Sequence, residues 1–305
     1  MLSNFKKRGN RSNKKGPIVL PPKKYIPLEY AKLNENTKFH FVFFITEGYP
    51  NDNGMDLKHT RKEIVKKSFK KFDKVSIFTP RALKNLGFDT YIKSFDDVGE
   101  CYNKEGINKV GFGAWKPLII YNELENMNDG DILIYRDASD SKTKSISTFD
   151  NIKEIASLCL DICKFDFFIP RKSELDDKSK LYVKNIIIKE LGINPEFIKD
   201  FPFLSCGSFS VFKKTEKTME FLGEWMKACQ NIKWLDGNKY IENVPEFKYS
   251  KNSESIMNVI ISNWIFNKKY EISPYYPRLI IENNDFQKIH FSSYYDHIKY
   301  LNIKK

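Results

Sequence analysis

The chain has 305 residues, of which 41% are hydrophobic and 15% aromatic. This length and composition suit a globular protein with a sizeable core and exclude a largely disordered one. The apolar runs fall short of the roughly 18 residues that a transmembrane helix needs. The basic start of the chain is not followed by the apolar stretch of a signal peptide. We therefore expect a soluble protein without a transmembrane segment.

The cysteines indicate the redox compartment. There are five of them, an odd number, and no two form a CxxC pair. A disulfide framework would use an even set, and a structural zinc site would use paired cysteines. We therefore expect free thiols in a reducing compartment, and hence a cytoplasmic location.

The net charge of +12 is unevenly distributed. Residues 1–38 hold ten basic and two acidic side chains, so this segment carries +8 and the remaining 267 residues carry +4. Such a mildly basic remainder suits a diphosphate binder and does not predict a duplex-binding surface. Residues 1–37 lack a hydrophobic period and are predicted to be a basic flexible tail. The tail either contacts a polyanion or membrane surface peripherally, or is a solvated extension.

Strands and helices are predicted to alternate from Phe39 onward. Short apolar runs rich in aromatic and β-branched residues predict strands over 39–46, 74–80, 131–137, 164–170 and 205–214, with closing strands at 270–273 and 288–293. Helical periodicity and capping residues predict helices over 56–72, 80–88, 111–127, 148–163, 175–200, 215–230 and 253–266. This alternation predicts one α/β doubly wound domain over residues 38–305, with a mixed, mostly parallel sheet and helices on both sides.

The segment GDILIYRDASD, residues 130–140, carries the clearest chemical signal. Its apolar strand ends at Asp137, and ligands of open α/β sheets bind beyond the carboxyl ends of strands. A carboxylate at that position suits Mg²⁺ or Mn²⁺, which in turn neutralises a diphosphate. A lone aspartate after a strand is also a common turn or capping residue.

The surrounding residues resemble a known family. Gly111, Gly113, Trp115, Lys116, Pro117, Gly130, Asp131, Tyr135, Asp137 and Ala138 follow the pattern of GT-A-type glycosyltransferases found in polysaccharide-synthesis clusters and in large DNA viruses. The resemblance implies a Rossmann-like α/β/α sandwich and a viral source as one origin. It also implies transfer of a sugar from a nucleotide-sugar donor, of uridine type, to a hydroxyl acceptor on a glycan or protein. The cofactor it implies is Mn²⁺ or Mg²⁺.

The resemblance also assigns roles to particular residues. Donor contacts are expected at Arg61, Trp115, Lys116, Asp137, Ala138 and Ser139; metal ligands at Asp137, Asp140 and His290; acceptor contacts at Cys206, Gly207 and Ser208; and catalytic carboxylates at Asp137 and Glu254. Two positions depart from the pattern. Ser139 stands where the family has Gly or Asp, and Ser253–Ser255 stands where it has Asp-Gln-Ser.

For several of these residues a structural role is the alternative. Trp115 also suits the core, Lys116 and Arg61 also suit a helix surface, and Gly207 also suits a β-bulge. The chain lacks the GxGxxG, GxxxxGK[ST], HExxH and GxSxG patterns, which disfavours dehydrogenase, P-loop and hydrolase functions. The alternative function is a non-catalytic module, either a degenerate transferase that binds a nucleotide sugar or a tail-driven binder of nucleic acid or lipid.

Overall fold

The structure is a computed structural model. It describes residues 24–27, 32–44, 70–88, 110–137, 151–163, 165–170, 179–199, 201, 203–207, 209–235, 247–267, 275–278 and 288–293. Its strands are β1 (Lys24–Pro27), β2 (Phe39–Phe44), β3 (Lys74–Phe78), β4 (Ile132–Tyr135), β5 (Phe167–Phe168), β6 (Ser210–Lys213), β7 (Tyr275–Arg278) and β8 (Lys288–Ser293). Its helices are α1 (Pro80–Asn85), α2 (Trp115–Glu125), α3 (Ile152–Cys163), α4 (Asn185–Glu190), α5 (Pro195–Lys199), α6 (Glu216–Cys229), α7 (Ile232–Leu235) and α8 (Ser253–Phe266).

The larger sheet has five strands in the order β3-β2-β4-β6-β5. Strand β2 runs parallel to both β3 and β4, whereas β6 runs antiparallel to β4 and β5. The predicted α/β architecture with a mixed, mostly parallel sheet is therefore confirmed at this level. All six residues of β2 are buried, as expected for a central strand covered on both faces.

Two helices that cover the sheet pack against each other because of their sequence patterns. Helix α6 presents one buried stripe, formed by Thr218, Phe221, Leu222, Trp225 and Cys229, at the spacing of an amphipathic helix. Its start is capped by Thr215 Oγ1, which accepts a hydrogen bond of 3.2 Å from the backbone N–H of Thr218. Helix α2 is buried nearly all round, because it lies between the sheet and α6.

Aromatic contacts join the sheet to the helices. The ring of Phe167 on β5 stacks on Phe221 of α6 with centroids 4.4 Å apart. Trp264 of α8 meets the same Phe221 edge-on at 5.8 Å, and its indole N–H donates to Glu224 at 2.7 Å. Offset and edge-on ring pairs of this kind stabilise a core beyond the area that they bury. Phe221 therefore links strand β5 to helix α8 through helix α6.

The smaller sheet has the order β1-β8-β7, and all of its pairs are antiparallel. Strand β8 coincides with the predicted closing strand, whereas the predicted strand 270–273 lies outside the described residues. Strand β1 falls within the predicted tail of residues 1–37, so four residues of that segment pair with β8. Among the described helices, none has the length and apolarity to cross a membrane.

A buried carboxylate, Glu123, connects α2 to the sheet. Glu123 Oε1 lies 2.6 Å from Lys74 Nζ on β3 and 3.6 Å from His40 Nδ1 on β2. Burial alone would raise the pKa of Glu123, but contacts with His40, Lys74 and Ser76 lower it from 4.5 to about 2. A carboxyl group with a pKa that is lower in the folded chain than in the unfolded chain stabilises the fold at neutral pH.

Replacing Glu123 by Gln is expected to weaken the acid sensitivity of folding. The contribution of this carboxylate is complete above about pH 4.5 and is lost as the pH falls through about 2. We expect the free energy of unfolding of the unmodified chain to fall by roughly 1–3 kcal/mol more than that of the variant over this window. Urea denaturation at pH 7, 4.5 and 3 measures both. Equal losses in the two proteins would contradict the assignment.

Candidate functional site

The direction of β6 creates the site. Because β4 and β6 are antiparallel, with Tyr135 opposite Ser210, the chain leaves β4 at the same edge of the sheet where it enters β6. Asp137 follows β4, and its backbone N–H donates to the carbonyl of Gly207 at 2.9 Å. The segment 203–207 before β6 therefore lies directly beside Asp137. This is the carboxyl edge of β2 and β4, where ligands of open α/β sheets bind.

The ammonium of Lys116 lies between two carboxylates at this edge. Lys116 Nζ is 3.0 Å from Asp137 Oδ2 and 3.3 Å from Glu254 Oε1. The three side chains come from the first turn of α2, the residues after β4 and the first turn of α8. Their exposed fractions are 8% for Lys116, 13% for Glu254 and 36% for Asp137. Asp137 is therefore the member of the cluster that faces solvent most.

Glu254 is held by several donors besides Lys116. Its Oε1 accepts a hydrogen bond of 3.1 Å from the backbone N–H of Gly207 and one of 3.4 Å from Ser205 Oγ. It also lies in the first turn of α8, where the helix dipole favours a negative charge. The predicted catalytic carboxylates Glu254 and Asp137 are thus brought together, although they are far apart in the sequence.

Gly207 allows the carboxylates to approach this closely. A Cβ atom built on Gly207 would lie 2.2 Å from Asp137 Oδ2 and 3.1 Å from Lys116 Nζ. The glycine was predicted to let an acceptor approach the backbone. In the structure, the space that a side chain at position 207 would occupy is taken by the carboxylate of Asp137.

Buried hydrogen bonds fix the segment 203–207 and the start of α8. Asn258 of α8 accepts from the N–H of Leu204 at 2.8 Å and donates to the carbonyl of the same residue at 2.8 Å. The indole N–H of Trp225 donates to the carbonyl of Ser253 at 2.9 Å, and Ser255 Oγ donates to the carbonyl of Tyr182 at 2.6 Å. Glu254 is therefore carried by a helix start that is anchored on both sides.

The charge states around Lys116 follow from burial and neighbours. Burial would lower the pKa of Lys116, but Asp137 and then Glu254 raise it, so that the net shift is upward. Burial and Asp137 raise the pKa of Tyr135, whose hydroxyl donates to Asp137 Oδ1. Burial raises the pKa of the Cys206 thiol to about 12. With both carboxyl groups ionised, Lys116, Asp137 and Glu254 together carry a charge of −1.

Other predicted site residues have structural positions. Trp115 is buried, and its ring stacks on Phe44 at the end of β2 with centroids 4.1 Å apart. Cys206 is also buried, and its carbonyl accepts a hydrogen bond of 2.9 Å from Ser210 Oγ. Trp115 also contacts Lys116, whose Nζ lies 5.7 Å from the centroid of the indole ring.

Several predicted residues are not tested by these contacts. Arg61, Ala138, Ser139, Asp140 and Ser208 lie outside the described residues. His290 lies on β8 of the smaller sheet, in register with Tyr25 and Arg278. The contacts described for Asp137 come from Lys116, Tyr135 and Gly207. In the described part of the chain, no group of three or more His, Cys, Asp or Glu side chains could by itself hold a metal ion.

A cavity of about 500 Å³ opens at the other end of β4. Its lining includes Thr37, Asp129, Asp131 and Lys213. Asp131 is committed to the fold, because its carboxylate accepts from the backbone N–H of Lys38 at 2.9 Å and of Asn128 at 3.3 Å. This cavity lies at the opposite edge from Asp137, and the geometry favours the Asp137 edge as the candidate site.

Sequence reasoning missed two features of the site. It treated Lys116 as a donor contact or a surface residue, and it did not assign Ser205 a role. The signal for Lys116 was its place in the first turn of a helix, where a positive charge is unfavourable unless anions face it.

In comparisons with known proteins, no family model, curated protein or solved structure matches the chain.

Replacing Gly207 by Ala is expected to force Asp137 and Lys116 apart, because the added methyl group overlaps the carboxylate. We expect the free energy of unfolding to fall by about 1–3 kcal/mol. Gly223 of α6 is the matched control, because nothing lies within 4 Å of a Cβ placed there. The change of Gly223 to Ala should raise stability by roughly 0.5–1 kcal/mol. Chemical denaturation compares the two, and an undiminished stability of the Gly207→Ala chain would refute the packing argument.

Proposed function

We propose that this chain is a GT-A-type glycosyltransferase that moves a sugar from a nucleoside-diphosphate sugar, of uridine type, to a hydroxyl of a glycan or protein. The observation that carries the proposal is the position of Asp137. It is a partly exposed carboxylate beyond the carboxyl end of a central strand, with a second carboxylate, Glu254, on the same lysine. The residues that suggested the family from sequence, Trp115, Lys116, Tyr135 and Asp137, meet at this one place.

The chemistry of Asp137 fits a divalent cation. Tyr135 donates to its Oδ1 and Lys116 to its Oδ2, and the side chain is still 36% exposed. Mg²⁺ is typically held by one or two carboxylates together with substrate phosphates and waters. Asp137 would hold the cation, with Asp140 and His290 as the predicted further ligands. When bound, Mn²⁺ or Mg²⁺ stabilises the negative charge that develops on the departing diphosphate.

Glu254 supplies the second carboxylate of the mechanism. If transfer inverts the configuration of the sugar, a carboxylate must take the proton that the acceptor hydroxyl loses. If transfer retains the configuration, Glu254 instead contacts the donor sugar. In both cases the backbone N–H of Gly207 and the ammonium of Lys116 orient the carboxylate before substrate arrives, which is the preorganisation that catalysis requires.

The ion pair of Asp137 with Lys116 supports a second candidate function. A chain whose metal-binding carboxylate is partly neutralised by its own lysine would bind a nucleotide sugar without transferring it.

Residues 1–37 provide a third candidate, a polyanion or peripheral membrane contact made by the basic segment. Because β1 pairs with β8, removing residues 1–23 tests this segment while keeping β1. An enzyme keeps its turnover after this truncation, whereas a tail-driven binder loses its ligand.

The decisive experiment measures hydrolysis of UDP-, GDP- and CDP-sugars by the full chain, with Mn²⁺, with Mg²⁺ and with a chelator. A metal contribution of several kcal/mol predicts that Asp137→Asn lowers turnover by about 10²–10³-fold. Asp161→Asn, at an exposed position of α3, should leave turnover unchanged. Donor binding by thermal shift without any turnover would favour the non-catalytic candidate. The transferase proposal fails if no donor shifts the melting temperature with or without metal.

A further inference from the structure

The burial of the charged Lys116 side chain is energetically unfavourable. Its side chain is 8% exposed, it lies in the first turn of α2 at the positive end of the helix dipole, and its neighbours include the rings of Trp115 and Tyr135. A buried charge of this kind costs several kcal/mol in desolvation unless counter-charges surround it. An apolar side chain at this position would avoid that cost. The charge therefore serves something other than the stability of the core.

The position of the ammonium defines its effect on any cation that shares Asp137. Lys116 Nζ is bonded to Asp137 Oδ2 at 3.0 Å and to Glu254 Oε1 at 3.3 Å. Without Lys116 the two carboxylates would carry −2 and would attract a divalent cation strongly. With Lys116 the three side chains carry −1, and the lysine ammonium repels a divalent cation bound to the Asp137 carboxylate.

We propose that Lys116 is a positioning residue that holds the carboxylates of Asp137 and Glu254 on either side of its ammonium group. The same ammonium weakens the binding of a divalent cation to Asp137. The metal therefore binds together with the donor diphosphate and not before it. This inference rests on the proposed function. A divalent cation added to the three side chains gives a net charge of +1, and a negative diphosphate would supply further ligands and the missing counter-charge. Metal and donor therefore bind cooperatively.

The test measures binding of Mn²⁺ alone to the full chain by electron paramagnetic resonance, without a donor. We expect Lys116→Met to bind Mn²⁺ roughly tenfold or more tightly than the unmodified chain, because a neighbouring positive charge is removed. Lys116→Arg keeps the charge and should leave Mn²⁺ affinity within about twofold, a change of less than about 0.5 kcal/mol. A residue with a purely structural role would weaken metal binding when replaced, not strengthen it.

Two controls define the origin of the effect. Lys153→Met removes another paired lysine, which lies 3.4 Å from Asp73, and should leave Mn²⁺ affinity unchanged. The double variant Lys116→Met with Asp137→Asn should lose the gain, because the ligand itself is removed. Equal Mn²⁺ affinity of the unmodified and Lys116→Met chains, including binding by neither, would overturn the proposal.

A second measurement decides the matter if the Lys116→Met chain does not fold. In the unmodified chain, Mn²⁺ should bind weakly alone and at least about tenfold more tightly with a saturating nucleoside diphosphate, as mutual coupling requires. Equal Mn²⁺ affinity with and without the nucleotide would overturn the inference. Failure of the proposed function has a different signature, because no donor is then turned over while the Mn²⁺ comparisons still decide the role of Lys116.

Discussion

The ion pairs of Lys116 are the constraint on which the site depends. The ammonium bridges residues 21 and 138 positions away in the sequence, and a buried charge that loses a partner is strongly destabilising. Helix α2, the end of β4 and the start of α8 therefore cannot separate without exposing an uncompensated charge. Gly207 follows from the same constraint, since a side chain there would occupy the space of the Asp137 carboxylate.

The antiparallel strand β6 is the second determinant. If all the strands were parallel, the segment before β6 would lie at the opposite edge of the sheet from Asp137. Because β6 is reversed, its preceding residues reach the carboxyl edge and donate a backbone N–H to Glu254. One reversed strand thus supplies part of a polar cluster that parallel strands would build only from the loops that follow them.

Local patterns predicted most of the described elements, but the predicted helix 175–200 contains two separate short helices, α4 and α5, and no pattern predicted which strands pair. Helix α8 and strand β8 have the predicted bounds, and β2 and α6 lie within theirs, because hydrophobic period and capping residues act over a few positions. The reversal of β6 and the ion pairs of Lys116 depend on residues far apart in sequence, which no local pattern contains. The residues that carry the family resemblance include both structural residues and candidate site residues. Asp131 belongs to the turn before β4, where it accepts backbone N–H bonds, whereas Asp137 belongs to the candidate site.

The charge of the cluster limits what its edge of the sheet can bind. Diphosphate is an anion, and three side chains with a net charge of −1 repel it in the absence of an added cation. The N-terminal turn of α8 would favour an anion, but Glu254 already lies there. Positive charge must therefore arrive with the ligand or from neighbouring residues. Arg136, which interacts electrostatically with Asp137, is one such neighbour, and the divalent cation of the proposed function would be another source.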